Sequence, residues 1–90
     1  MEGVIGRLVK SRAGRDKGRF FVVMSVLDDN YVFIADGDLR KIEKQKKKKL
    51  KHLNFTNTIL NEFLLKKDNN EPNLNAELRK IILCVANEIK

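Results

Sequence analysis

Arg19-Phe20-Phe21-Val22-Val23-Met24-Ser25-Val26-Leu27 is the stretch that decides the fold class of this chain. A short run that is apolar at nearly every position suits a β-strand covered on both faces, since a strand with one wet face would alternate with polar residues. Such a strand is central, and neighbours are expected on both sides. Upstream, Gly6 to Arg12 reads as an edge strand, with Leu8 apolar among Arg7, Lys10 and Arg12, and Ala13-Gly14-Arg15-Asp16-Lys17-Gly18 reads as the connecting loop. Downstream, Asp28-Asp29-Asn30 carries turn chemistry, because these side chains bond their own backbone and Asn tolerates positive φ. Tyr31 to Ala35 returns as a third strand.

Asp36-Gly37 predicts a tight hairpin, because both central residues of a type I′ turn need positive φ, which Asp tolerates and Gly adopts freely. Asp38 to Glu43 is then the returning strand, and Lys46 to Leu53 a last one with Leu50 and Leu53 turned inward. Five short strands joined by tight turns close more economically into a small barrel than into an open sheet with two bare edges. Beyond Leu53 the apolar spacing changes to three and four. Thr56 or Asn57 is placed to cap a helix whose stripe is Ile59, Leu60, Phe63 and Leu64, and Asp68-Asn69-Asn70-Glu71-Pro72 breaks it. A second helix is predicted from about Leu74, with Leu78, Ile81, Ile82, Val85, Ala86 and Ile89 on its apolar face. The expected architecture is therefore α+β: a five-stranded β-barrel over 1–53 and a helical hairpin over 54–90. The hairpin must bury its stripes against each other, the barrel or another chain.

The charge is as uneven as the secondary structure. The chain has 19 Lys and Arg against 12 Asp and Glu, a formal net charge of +7. Residues 1–53 hold 14 basic and 7 acidic side chains, and residues 54–90 hold 5 and 5, so the whole excess lies in the strand-rich half. A short basic chain of this kind points to a polyanionic partner, either nucleic acid or an anionic membrane. No apolar run reaches the ~18 residues of a spanning helix, and Met1-Glu2-Gly3-Val4 does not open a secretory signal. The expectation is a cytoplasmic protein without a membrane partner.

Composition also narrows the chemistry. Cys84 is the sole cysteine and His52 the sole histidine, which excludes an internal disulfide and a Cys/His zinc site within one chain, so neither metal nor cofactor is expected. Cys84 falls on or near the apolar stripe of the last helix and reads as a small buried hydrophobe. Asp28, Asp29, Asp36 and Asp38 are explained by turn formation, and no glycine-rich phosphate loop ends in Lys-Ser or Lys-Thr. No catalytic residue is assigned, and the chain is not expected to be an enzyme.

Gly6-Arg7-Leu8-Val9-Lys10-Ser11-Arg12-Ala13-Gly14-Arg15-Asp16-Lys17-Gly18-Arg19-Phe20-Phe21-Val22-Val23 resembles the KOW motif, which alternates hydrophilic and apolar residues around one characteristic glycine, here Gly18. Ile34-Ala35-Asp36-Gly37-Asp38-Leu39-Arg40 followed by Lys46-Lys47-Lys48-Lys49-Leu50-Lys51-His52-Leu53 extends the likeness to the small bacterial relatives of large-subunit ribosomal proteins of the L-fourteen-e class, over roughly residues 3–57. The resemblance implies an SH3-like barrel, RNA binding and an association with ribosomes or translation. It implies nothing about residues 58–90.

The candidate RNA-binding residues are Arg7, Lys10, Arg12, Arg15, Lys17 and Arg19 in the first segment, and Lys46, Lys47, Lys48, Lys49, Lys51 and His52 in the second. A strand, a basic loop and a second strand present guanidinium and ammonium groups on one rim, where phosphates approach without burying unpaired charge. Protecting a sheet edge needs one or two lysines, not six cations. For Phe20, Phe21, Tyr31 and Phe33, core packing is the usual explanation, and Tyr31 is the best placed of them for base stacking. A second reading is a protein-interaction adaptor that uses the barrel and the apolar face of the helices, by binding a partner or by self-association.

Overall fold

The computed structural model of the chain describes residues 3–89. Met1, Glu2, Lys90 and the side chain of Ile89 lie outside the described residues. The elements in chain order are β1 (Arg7–Ser11), β2 (Phe20–Val26), β3 (Tyr31–Ala35), a 3-10 turn (Ile42–Lys44), β4 (Lys46–Lys49), a second 3-10 turn (Leu50–His52), β5 (Leu53–Ile59), α1 (Asn61–Asp68) and α2 (Leu74–Ile89). All pairings are antiparallel and the strand order is β4-β3-β2-β1-β5. Among the described residues no helix is long and apolar enough to cross a membrane.

The apolar run forms the central strand of the sheet, as its composition requires. Phe21, Val22 and Val23 are fully buried, and alternate residues of β2 serve two different cores. Phe21 and Val23 join Val9, Val32, Ile34 and Leu53 on the inner face. Val22 and Met24 join Leu8 and Ala35 on the outer face, where Leu60, Phe63, Leu78 and Ile82 from the helical region close over them. Register shifts in β1 against β5 and in β2 against β3 mark β-bulges, which increase local twist and bend the strands that carry them.

Five strands are present, but the expected strand over Asp38 to Glu43 is absent, and only Lys46–Lys49 of the expected strand over Lys46 to Leu53 forms β4, the fifth strand being β5. Asp36-Gly37 does not make a type I′ hairpin. Asp36 instead accepts hydrogen bonds through Oδ1 from the N–H groups of Asp38 (2.9 Å) and Arg40 (2.8 Å), and of the two residues only Gly37 has positive φ, +78°. This wraps residues 36–40 into a closed loop, so Asp38 to Glu43 is not a strand. A side chain at Gly37 would also collide with the Asn75 carbonyl oxygen of α2, and Arg79 Nη1 donates to the Gly37 carbonyl at 3.1 Å. The loop is therefore packed directly under α2. Asn75 holds its far end, accepting from Ile42 N–H and donating to Glu43.

With Asp38 to Glu43 withdrawn, the free edge of β3 is paired by the lysine run, Lys46–Lys49. The last expected strand breaks at Leu50–His52, and the chain restarts as β5 on the opposite edge, beside β1. The sheet is consequently open: β4 and β5 are its two edges and are not paired with each other. Strand β5 continues the sheet to Ile59, past the expected boundary at residue 53.

That strand also displaces the first helix. Thr56 does not cap it; its hydroxyl donates to the Leu8 carbonyl at 2.7 Å, and α1 begins at Asn61. The reason is the open edge of β1, whose buried backbone groups need partners more than the helix needs about one extra turn. The second helix follows the expected spacing. Leu78 and Ile82 are buried, and Leu74, Ile81 and Val85 are half-buried against the same core. Cys84 departs from expectation and is exposed. It shares the outward side of α2 with exposed Leu83, because the stripe that faces the sheet runs through 74, 78, 81, 82 and 85.

Candidate nucleic-acid interface

The loop from Ala13 to Gly18 is closed at its base by backbone hydrogen bonds from Gly18 N–H to the Ser11 carbonyl (2.8 Å) and from Ser11 N–H to the Arg19 carbonyl (2.9 Å). Gly18 has φ +90° and no neighbour within reach of an added Cβ, so the turn itself, and not crowding, calls for glycine there. At the loop's centre Asp16 is buried and accepts a hydrogen bond from Lys46 Nζ at 2.7 Å, with Arg40 Nη2 at 4.0 Å. Beside it Lys48 Nζ donates to the Ala13 carbonyl at 3.1 Å. The loop is thus fastened to β4 by two lysines that reach across the open side of the sheet.

This divides the lysine run by strand parity. Lys46 and Lys48 oppose Ile34 and Val32 and face inward, while Lys47 and Lys49 oppose Phe33 and Tyr31 and face outward. Lys48 is 7% exposed, and Lys46 is spent on Asp16. Neither belongs to a free basic surface. Arg7 is likewise engaged, donating from Nε to the Gly3 carbonyl (2.6 Å) and from Nη1 to the Thr56 carbonyl (3.0 Å). Arg19 pairs with Asp36 at 3.2 Å and Asp38 at 3.7 Å.

Arg12, Arg15 and Lys17 are exposed and form no ion pair among the described residues, and the same holds for exposed Lys10, Lys47 and Lys51. Lys10 rests with Nζ 5.4 Å from the centre of the Phe20 ring. Arg12 N–H donates to the His52 carbonyl at 2.9 Å, which joins the start of the loop to the second 3-10 turn. Burial and the positive fields of Lys51, Lys48, Lys49 and Arg12 all push the His52 pKa down. The imidazole is therefore neutral at pH 7, and His52 marks the convergence of the two basic segments without adding a charge of its own. The candidate interface is a rim of Arg12, Arg15, Lys17 and Lys51, continued by Lys47 and Lys49 on the outer face of β4.

Asp16 and Arg40 were not among the candidates, yet they shape this rim. Asp16 is the sole acid in a basic loop, which is the one sequence signal of an anchoring role. Arg40 lies in a loop distant in sequence, and its Nε is buried without a partner. Burial raises the Asp16 pKa, but the hydrogen bond and charge of Lys46, with the charges of Arg40 and Lys48, outweigh it and hold the carboxyl below its ordinary value of 3.8. A carboxyl with a depressed folded-state pKa stabilises the fold above its unfolded value and loses that contribution as pH falls through the folded one. Stability is accordingly expected to drop as pH falls below about 3.8. Asp16→Asn is expected to remove the Asp16 share of this dependence, leaving that of Glu43 and Glu77, whose hydrogen bonds to Asn75 and Lys66 also lower their pKa. It is expected to cost about 1.5–3 kcal/mol for the lost charged hydrogen bond, nearer the lower figure because Lys46 is 30% exposed. Thermal melts of both proteins between pH 2.5 and 7 check it; parallel pH profiles would contradict the anchoring role.

No family model matches the chain, and no curated protein matches it.

Proposed function

We propose that the chain is a non-catalytic RNA-binding protein that grips structured RNA through phosphate contacts from the rim of Arg12, Arg15, Lys17 and Lys51 and from Lys47 and Lys49. The carrying observation is a division of labour: Lys46 and Lys48 tie the loop down, while exposed Arg12, Arg15, Lys17, Lys47 and Lys51 and half-buried Lys49 have no carboxylate partner among the described residues. A basic loop fixed at its centre holds its charges in place before a polyanion arrives, which lowers the ordering cost of binding. The strand order, with β5 returning beside β1 after one 3-10 turn, supports reading the sheet as an opened SH3-like barrel with the KOW-type segment across β1, the loop and β2. A cytoplasmic place on the ribosome or in translation belongs to the same proposal and rests on the resemblance alone.

The adaptor reading loses its main support, because Leu78 and Ile82 are buried on the sheet and Val85 is half-buried there; among the described residues, Leu65 and Leu83 are the large apolar side chains the helices leave exposed. The test is a salt titration of binding to a structured RNA hairpin. Log Kd against log salt is expected to be linear, with about 0.7–0.9 units of slope per phosphate neutralised. Binding that is indifferent to salt would overturn the proposal.

A further inference from the structure

Tyr31 and Phe33 stand apart from most of the other aromatics. Phe20, Phe21 and Phe63 belong to or pack on the two apolar cores, whereas Tyr31 and Phe33 are half-buried and belong to neither. Phe55 on β5 also belongs to neither, but it is exposed and no cation lies over its ring among the described residues. They are two residues apart on β3, opposite Lys49 and Lys47, so all four side chains share the outer face of the β3–β4 pair. The helices cover this same face at Val22, Met24 and Ala35. Lys47 Nζ lies 4.6 Å and Lys49 Nζ 5.8 Å from the centre of the Tyr31 ring. Neither lysine makes an ion pair among the described residues. Asp28 Oδ1 accepts from the Tyr31 backbone N–H at 2.9 Å and so fixes the start of the strand.

From this arrangement we infer that Tyr31 is a stacking position for one unpaired base of the bound RNA, with Lys47 and Lys49 taking the phosphates on either side of that nucleotide; the inference rests on the RNA-binding reading above. A ring with two cations near its face and no core to fill is poised for exchange. When a phosphate draws an ammonium away, the exposed π-face is left for a base, and a cationic track beside an aromatic platform is how single-stranded segments are held. A continuous duplex keeps its bases stacked on each other and offers none to Tyr31. The ligand class is therefore a structured RNA carrying an unpaired nucleotide.

The chain has one tyrosine and no tryptophan, so its intrinsic fluorescence reports on Tyr31 alone. The experiment compares a fully paired RNA hairpin with the same hairpin carrying one extra unpaired adenosine, following affinity by anisotropy of labelled RNA and stacking by tyrosine emission. The RNA with the unpaired base is expected to bind roughly 5- to 150-fold tighter and to quench the tyrosine, whereas the paired one binds without quenching. Tyr31→Leu is expected to erase the preference and keep the affinity for the paired hairpin, while Tyr31→Phe keeps both. Equal, salt-dependent binding of the two RNAs without quenching would overturn the stacking site and leave the phosphate-binding rim standing. If neither RNA binds, the RNA-binding reading is overturned, and the stacking site with it. Should Tyr31→Leu fail to fold, the quenching comparison on the unaltered chain and the Tyr31→Phe affinities decide.

Discussion

Replacing Arg12, Arg15 and Lys17 together with Ala is expected to weaken binding of a structured RNA on the order of a hundredfold at ~0.1 M salt, and to flatten the log–log salt slope by about 2–3. The three side chains are exposed and form no ion pair among the described residues, so their removal leaves no buried group unsatisfied. Surface substitutions of that kind change stability by about 0.5 kcal/mol or less each. The thermal midpoint should therefore stay nearly constant while affinity collapses. The matching variant of the same run of charge, Lys46→Ala with Lys48→Ala, has the opposite signature. It strands the buried Asp16 carboxylate and the Ala13 carbonyl, so the melt shifts first and binding is lost through disorder of the loop. A triple variant with unchanged affinity and slope would remove the loop from the interface.

Phe63→Ala is the second large effect, on stability. Phe63 is fully buried in α1 and shares a core with Leu60, Leu78 and Ile82 on the helical side and Leu8, Val22, Met24 and Ala35 on the sheet. Truncating a large aromatic in such a site costs about 3–5 kcal/mol, a large share of the ~5–15 kcal/mol that holds a domain folded. For a chain of this size that is a fall in Tm of roughly 12 °C or more. Because the core joins both halves of the chain, sheet and helices are expected to unfold in one transition. Tyrosine emission from the sheet and far-UV circular dichroism from the helices should give coincident melts. A sheet that survives after the helices have melted would contradict a shared core.

The strand chemistry of β1, β2 and β3 was readable because it is local, although β1 was expected at an edge of the sheet and lies between β2 and β5, a placement set by the distant strand β5. An apolar run announces a two-faced strand, and Asp28 closes its turn through its own backbone neighbours, Asn30 and Tyr31. The spacing of Leu74, Leu78, Ile81, Ile82 and Val85 announced α2 in the same way. Elements that depend on distant partners were not readable. Asp36-Gly37 carries a hairpin signature, but α2 packs on Gly37, and Asp36 spends its carboxylate on the loop. Thr56 has a capping side chain, but the edge of β1 claims its backbone and its hydroxyl. Cys84 lay near the stripe in sequence, and one residue of helical rotation turns it outward.

The candidate site divides along the same line. Composition identified the basic half and a strand was expected over Lys46 to Leu53, yet its register against β3 was not readable, and that register is what separates Lys47 and Lys49 from Lys46 and Lys48. Arg7 and Arg19 were indistinguishable in sequence from Arg12 and Arg15. Their partners, the Thr56 carbonyl and Asp36, lie 49 and 17 residues away. Asp16 is the sole acid of the basic loop, and its buried contact with Lys46, 30 residues away, is what fixes the loop.

The most direct test of the account is a two-dimensional amide NMR titration of the full chain with a structured RNA hairpin. The backbone signals of Arg12 to Gly18 and of Lys47 to His52 are expected to move together, and those of the outward faces of α1 and α2, around Leu65 and Leu83, to stay still. Shifts confined to the helices, or none at RNA concentrations that saturate binding, would contradict a nucleic-acid interface on the basic rim.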